Sequence, residues 1–152
     1  MFKSYNPLNI TNNFIDRSIN ERERLSPMKL QKLMYFLYRD YLKATQTPLF
    51  SERFEAWKYG PVLHSVYDEY RKYKDKDISE YYAEPEQLPY KINEDTNFDF
   101  RDAINTVWQK YKTYSGIELS KITHREGSAW YKAWTQNKIF LTDEDIINDE
   151  VD

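Results

Sequence analysis

The chain has 152 residues, no cysteine, three glycines and a net charge of −3. That length suits one domain burying about two thirds of the surface its unfolded chain exposes, and the missing cysteines exclude disulfides and thiolate metal sites. No apolar run approaches the roughly 18 residues of a membrane span, and the N-terminus lacks a signal-peptide core, so a cytoplasmic protein without membrane contact is expected.

The charge is unevenly spread. The last eleven residues, TDEDIINDEVD, hold six acidic side chains and no basic one. The remainder is nearly neutral and lacks the clustered basic surface that nucleic acid demands, so nucleic acid is not expected as the main partner. Fourteen tyrosines accompany eight phenylalanines and four tryptophans. So many phenols cannot all be buried with satisfied hydroxyls, and tyrosine is enriched where proteins bind proteins.

In chain order, an irregular stretch around Pro7 leads to a short amphipathic helix carrying Ile10, Phe14 and Ile19, which ends in the charge run NERER. Residues 26–45 form the central element. Ser26 can cap the first free amides, and Pro27 stands where a missing N–H costs nothing. Leu30, Leu33, Leu37 and Tyr41 repeat at helical spacing with Met34 beside them, and Leu33 to Tyr38 leave no polar face. Such a helix belongs inside a domain. Thr47-Pro48 ends it. Residues 52–59 alternate as a short strand. Gly60 then allows a tight turn, and Pro61 starts a helix with Val62, Leu63, Val66, Tyr67 and Tyr70 on one face, running to about Tyr73.

Residues 74–98 are polar, twice broken by proline and aperiodic, which reads as a long surface segment with a short hairpin around Gln87 to Ile92. Asp99 is placed to cap the next helix, whose stripe is Phe100, Ala103, Ile104, Val107, Trp108 and Tyr111, with Gly116 as its left-handed C-terminal residue. Leu119 and Ile122 lead to Thr123-His124. Ser128 caps a turn carrying Trp130, Ala133 and Trp134, and Thr142 with Asp145 resembles an acidic capping box. The fold class expected is mainly α: a compact single-domain helical bundle, residues 1–152, around a buried central helix, with a small β element.

Catalytic signatures are scarce. Glycines at 60, 116 and 127 are too far apart for a phosphate-cradling loop or a dinucleotide fingerprint. His64 and His124 are the only side chains with an ordinary pKa near neutrality, but no helical His-x-x-x-His spacing supports a metal site. Each histidine has a simpler role in holding a turn. No catalytic residue, metal ligand or cofactor is expected.

Three separated segments carry a resemblance: LQKLMYF at 30–36, EAWKYGPVLHSVY at 55–67 and THREGSAW at 123–130. Together, in this order and spacing, they resemble the Panacea domain, also called the SocA-like antitoxin domain and labelled a GepA-like phage-associated protein. The likeness spans roughly residues 10–145, leaving 146–152 as an acidic end. Ala129 departs from the proline common before the tryptophan. The resemblance implies an antitoxin, often of a prophage, that binds a cognate protein toxin encoded by an adjacent gene, or in the SocA type hands it to the ClpXP protease. It also singles out Leu30, Gln31, Lys32, Leu33, Trp57, Tyr59, Gly60, Pro61, Val62, Tyr67, Thr123, His124 and Trp130 as structural or partner-supporting positions. Gln31, Lys32 and His124, polar beside apolar motifs, are expected to close an internal hydrogen-bond network. Partner contact is expected from Tyr70, Tyr73, Tyr81, Tyr82 and Tyr90 on the third helix and the long segment.

Overall fold

The computed structural model describes residues 4–152. The chain runs α1 (Pro7–Glu21), α2 (Pro27–Thr45), β1 (Glu55–Trp57), β2 (Gly60–Val62), α3 (His64–Tyr70), α4 (Phe98–Tyr111), α5 (Gly116–Thr123), α6 (Ala129–Thr135) and α7 (Asp143–Ile147), with 3-10 turns at Arg71–Tyr73 and Glu94–Thr96. The mainly α architecture matches the expectation.

The central helix is α2. Ser26 Oγ accepts the Lys29 N–H at 3.2 Å, and Pro27 occupies the first turn. Leu30, Leu33, Met34, Tyr35, Phe36 and Leu37 are all buried. Helices α3, α4, α5 and α7 and strand β2 pack around it. Phe36 stacks on Tyr111 of α4 at 4.6 Å, while Tyr35 meets Phe54 edge-on at 5.4 Å, geometries that aromatic quadrupoles favour.

All six residues of the α4 stripe are buried. Its cap, however, is Asn97, whose Oδ1 accepts the Phe100 N–H at 3.0 Å, and Asp99 instead sits in the first turn, facing the positive end of the helix dipole. Gly116 does not close α4 either; it opens α5. Ser115 and Glu118 form a reciprocal capping box there. A Cβ on Gly116 would stand 2.9 Å from the Lys29 backbone nitrogen, so the glycine permits close approach of α5 to the start of α2. Pro61 likewise starts no helix. It lies in β2 opposite Ala56, and α3 begins at His64. The reason is Gly60, whose φ of +118° folds the chain back antiparallel to β1.

Helix α1 begins at Pro7 rather than after an irregular stretch, because Asn6 Oδ1 accepts the Leu8 N–H at 3.0 Å. Beside its apolar residues lies a buried polar stripe, Asn9, Thr11, Asn12 and Asn13, which the periodicity did not single out. That stripe holds the long segment. Asn12 Nδ2 donates to the carbonyls of Tyr82 (2.9 Å) and Tyr90 (2.8 Å) while its Oδ1 accepts the Tyr82 N–H at 2.8 Å. Asn13 donates to Ile92 O and accepts Ile92 N–H, both at 2.9 Å. Side-chain amides thus take the place of a partner strand, and among the described residues no hairpin forms at Gln87–Ile92. Arg17 adds a two-pronged ion pair to Glu94 at 2.6 and 2.8 Å.

Asn13→Ala would leave a buried N–H and C=O of Ile92 unpaired, a loss of about 1–3 kcal/mol. Because the damage is local, limited proteolysis should cut within residues 83–92 well before the helices unfold. Unchanged cleavage would show that the segment is held by other contacts.

The acidic end is part of the fold. Asp149 is fully buried, and the Asp152 carboxylate accepts from Lys110 and from the Tyr111 hydroxyl. Among the described residues no helix is long and apolar enough to cross a membrane.

Candidate functional site

The motif residues converge on the β1–β2 hairpin. Gln31, one turn into α2, makes a two-pronged pair with Leu63: its Nε2 donates to the carbonyl at 3.0 Å, and its Oε1 accepts the N–H at 2.9 Å. Lys32 Nζ donates to Pro61 O at 3.3 Å. From α5, Ser120 Oγ donates to Tyr59 O at 2.6 Å. From α6, Trp130 Nε1 donates to Trp57 O at 2.6 Å. His124 hydrogen-bonds the Lys58 backbone. On the open edge of β1, Ala56 N–H donates to Ile139 O at 2.8 Å, and Leu141 N–H donates to Phe54 O at 2.9 Å. Side chains from three helices and one returning segment therefore hold consecutive main-chain groups of one short ribbon. A two-stranded ribbon is marginal by itself, and this clamp supplies the support it lacks.

The polar residues of the motifs are thus joined through the hairpin backbone. Lys32 is only 1% exposed, and burial alone pushes its ammonium pKa down to about 7. His124 packs against Trp130 with ring centroids 4.0 Å apart and the planes tilted by 47°, and its Nε2 is buried without a hydrogen-bond partner. Burial first, and then the neighbouring Lys32 charge, lower its pKa. Thr123 Oγ1 donates to Ser120 O, and Ser128 Oγ to Thr123 O, both at 2.7 Å, which shapes the α5–α6 corner despite the absent proline. Leu30 and Leu33 are core.

Gly60 is required on two grounds. Its φ lies in the region that side chains avoid, and an added Cβ would meet Thr123 Oγ1 at 2.7 Å and Lys32 Cε at 2.8 Å. Gly60→Ala is therefore expected to lower stability by about 2 kcal/mol and to disorder the hairpin first. Amide exchange at Ala56 reads this; native-like protection there would contradict the fit.

Outside the clamp the hairpin presents aromatics. Tyr59 is 56% and Tyr67 39% exposed, and Trp57 packs on Tyr67 at 4.8 Å. Across β1 lie exposed Trp134, Ile139 and Phe140. The last two escaped the sequence reading because only their pairing beside β1 brings them to this face. The tyrosines expected to meet a partner behave differently. Tyr70 is buried rather than exposed, sharing a 2.7 Å hydrogen bond with Thr11. Tyr73 and Tyr82 are half-buried against the core. Tyr81 and Tyr90 are exposed, yet their hydroxyls already bond Asp16 (3.0 Å) and Asn9 (2.7 Å).

His64, flanked by Glu55 and Asp68 at 3.4 Å each, is exposed and separate from the His124 environment. No group of three or more potential metal ligands exists among the described residues.

The antitoxin SocA-like, Panacea domain family matches residues 30–131, a span that begins at α2, contains the whole hairpin and ends in α6. The chain belongs to the SocA-like Panacea family. Antitoxin SocA of Caulobacter vibrioides (strain NA1000 / CB15N) is 27% identical over 124 residues. That alignment covers 80% of this chain but only 66% of the relative, just under two thirds of its length. No solved structure matches. The matched span contains every clamp residue from Gln31 to Trp130, whereas the asparagine stripe of α1 and the buried Asp149 lie outside it.

Proposed function

We propose that this Panacea-family protein is an antitoxin that neutralises a cognate protein toxin, encoded by an adjacent gene, by direct stoichiometric binding and without catalysis. The observation that carries the reading is the hairpin face: exposed aromatics, Tyr59 on the ribbon's turn and Tyr67 on α3 beside it, next to a backbone held from behind by Gln31, Lys32, Ser120 and Trp130. Rigid, exposed aromatics lose little entropy on docking and are the usual anchors of protein interfaces. A patch of ~800 Å² would suffice to cover an active site.

Co-expression with the product of the neighbouring gene tests the proposal. Growth should be rescued and the two chains should co-purify at fixed ratio. Tyr59→Ala combined with Tyr67→Ala is expected to weaken that complex at least tenfold while leaving the melting temperature nearly unchanged. Failure of the wild-type chain to rescue or to co-purify would remove the reading.

A further inference from the structure

Between the hairpin, the start of α2 and α3 runs a half-open groove of about 500 Å³. Its walls are largely apolar, Trp57, Tyr59 and Tyr67 among them, and its polar lining is one-sided in charge. Lys32 lies at its base, Lys58, Arg71 and Lys74 stand around it, and no aspartate or glutamate lines it. Lys58, Arg71 and Lys74 are exposed, and none of the four is ion-paired among the described residues. Glu55 and Asp68, on the same elements, each lie 3.4 Å from His64. Some basic side chains elsewhere find acids, as Lys91 does with Asp16 and Lys112 with Glu21, while others such as Arg53 and Lys121 do not. What sets the groove apart is that three exposed cations stand around one apolar trough that no acid lines.

We infer that this groove receives an acidic segment of the protein partner, in which one large apolar or aromatic side chain enters the Trp57–Tyr67 trough while flanking carboxylates meet Lys58, Arg71 and Lys74. The inference rests on the protein-binding reading above and assigns the partner a chemistry. Apolar contact supplies the anchor, and the opposed charges fix register and speed the encounter, so binding is expected to weaken as salt rises. A basic segment would face the three exposed cations Lys58, Arg71 and Lys74 with no acid lining the groove. A second copy of the chain could offer exposed acids of its own, such as Glu86 near the exposed Leu88, so self-association is one of the outcomes read below.

The test is selection of random dodecapeptides displayed on phage against the immobilised full chain. Enriched peptides should combine Phe, Trp or Leu with two or more Asp or Glu. As synthetic fluorescent probes they should lose at least tenfold in affinity toward Lys58→Glu/Arg71→Glu, and toward each single reversal in part. Both positions are exposed, and a thermal melt of each variant confirms folding. Enrichment of basic or uncharged peptides, no enrichment, equal binding to the reversed variants, or self-association abolished by the same reversals would each overturn the inference. The co-expression assay separates this from the reading beneath it. If wild type and Lys58→Glu/Arg71→Glu protect equally, the groove is not the contact although the antitoxin role stands. If the wild-type chain fails to protect, the antitoxin role itself falls.

Discussion

Asp149→Ala is expected to destabilise the chain by about 3–5 kcal/mol, the range for removing one partner from a buried charged network. The carboxylate is fully buried and accepts the Tyr35 hydroxyl at 2.5 Å, the Ala129 N–H at 3.1 Å and the Val151 N–H at 3.0 Å. Arg39 Nη1 stands 3.5 Å away. Removal orphans a phenol inside α2 and the first amide of α6 and leaves Arg39 with less compensation. Burial and the Asp149 charge together hold the Tyr35 phenol protonated far above its ordinary pKa, which shows how tightly the pair is enclosed. The melting temperature should fall by about 10 °C for a domain of this size. A fall of only one or two degrees would mean that solvent reaches the site. Asp149→Asn, which keeps one acceptor, should lie between.

Lys32 gives the second large effect, and its sign depends on pH. Burial lowers the folded-state pKa from 10.5 to about 7. Below pH 7 both states are protonated, and the folded state carries the full penalty of an enclosed charge. Between pH 7 and about 10 the folded chain has shed the proton while the unfolded chain retains it. Stability contributed by this group therefore rises with pH, by about 1.4 kcal/mol per unit, or ~3 kcal/mol between pH 7 and 9. Lys32→Met keeps the volume, loses the bond to Pro61 O and removes the titration. It should match or exceed wild type at pH 6 and lose that advantage by pH 9. Lys32→Ala also removes the titration but opens a cavity beside Gly60, so it should lie about 2–4 kcal/mol below Lys32→Met at every pH. Urea melts at four pH values, read as wild type minus Lys32→Met, check both. A flat difference would show that the amine is not enclosed.

What could be read beforehand was what is written locally. Ser26-Pro27 and the all-apolar turn of α2 announced that helix, and the six-residue α4 stripe came from spacing alone. The convergence of Gln31, Lys32 and His124 on a shared network was also legible, because polar residues next to apolar motifs need partners. Their actual partners were not, since the hairpin carbonyls they bind lie nearly thirty to more than sixty positions away in the chain. Gly116 was misplaced although Ser115 and Glu118 stood at capping-box spacing beside it. Competing local signals mark helix ends poorly when one helix follows another. Asn12 and Asn13 were passed over because an asparagine pair in a helix has no local explanation. Only the unsatisfied backbone of a distant loop supplies one. Tyr70 reads both as part of the apolar face of its helix and as a possible partner contact, and its hydrogen bond with Thr11 of α1 places it inside.

The hairpin is gripped chiefly through carbonyl oxygens, a chemical feature that every amino acid possesses. Lys58 and Tyr59 can therefore be exchanged for other residues without loosening the frame beneath them. In evolutionary terms, mutation can rewrite what this face recognises while the scaffold that displays it stays put.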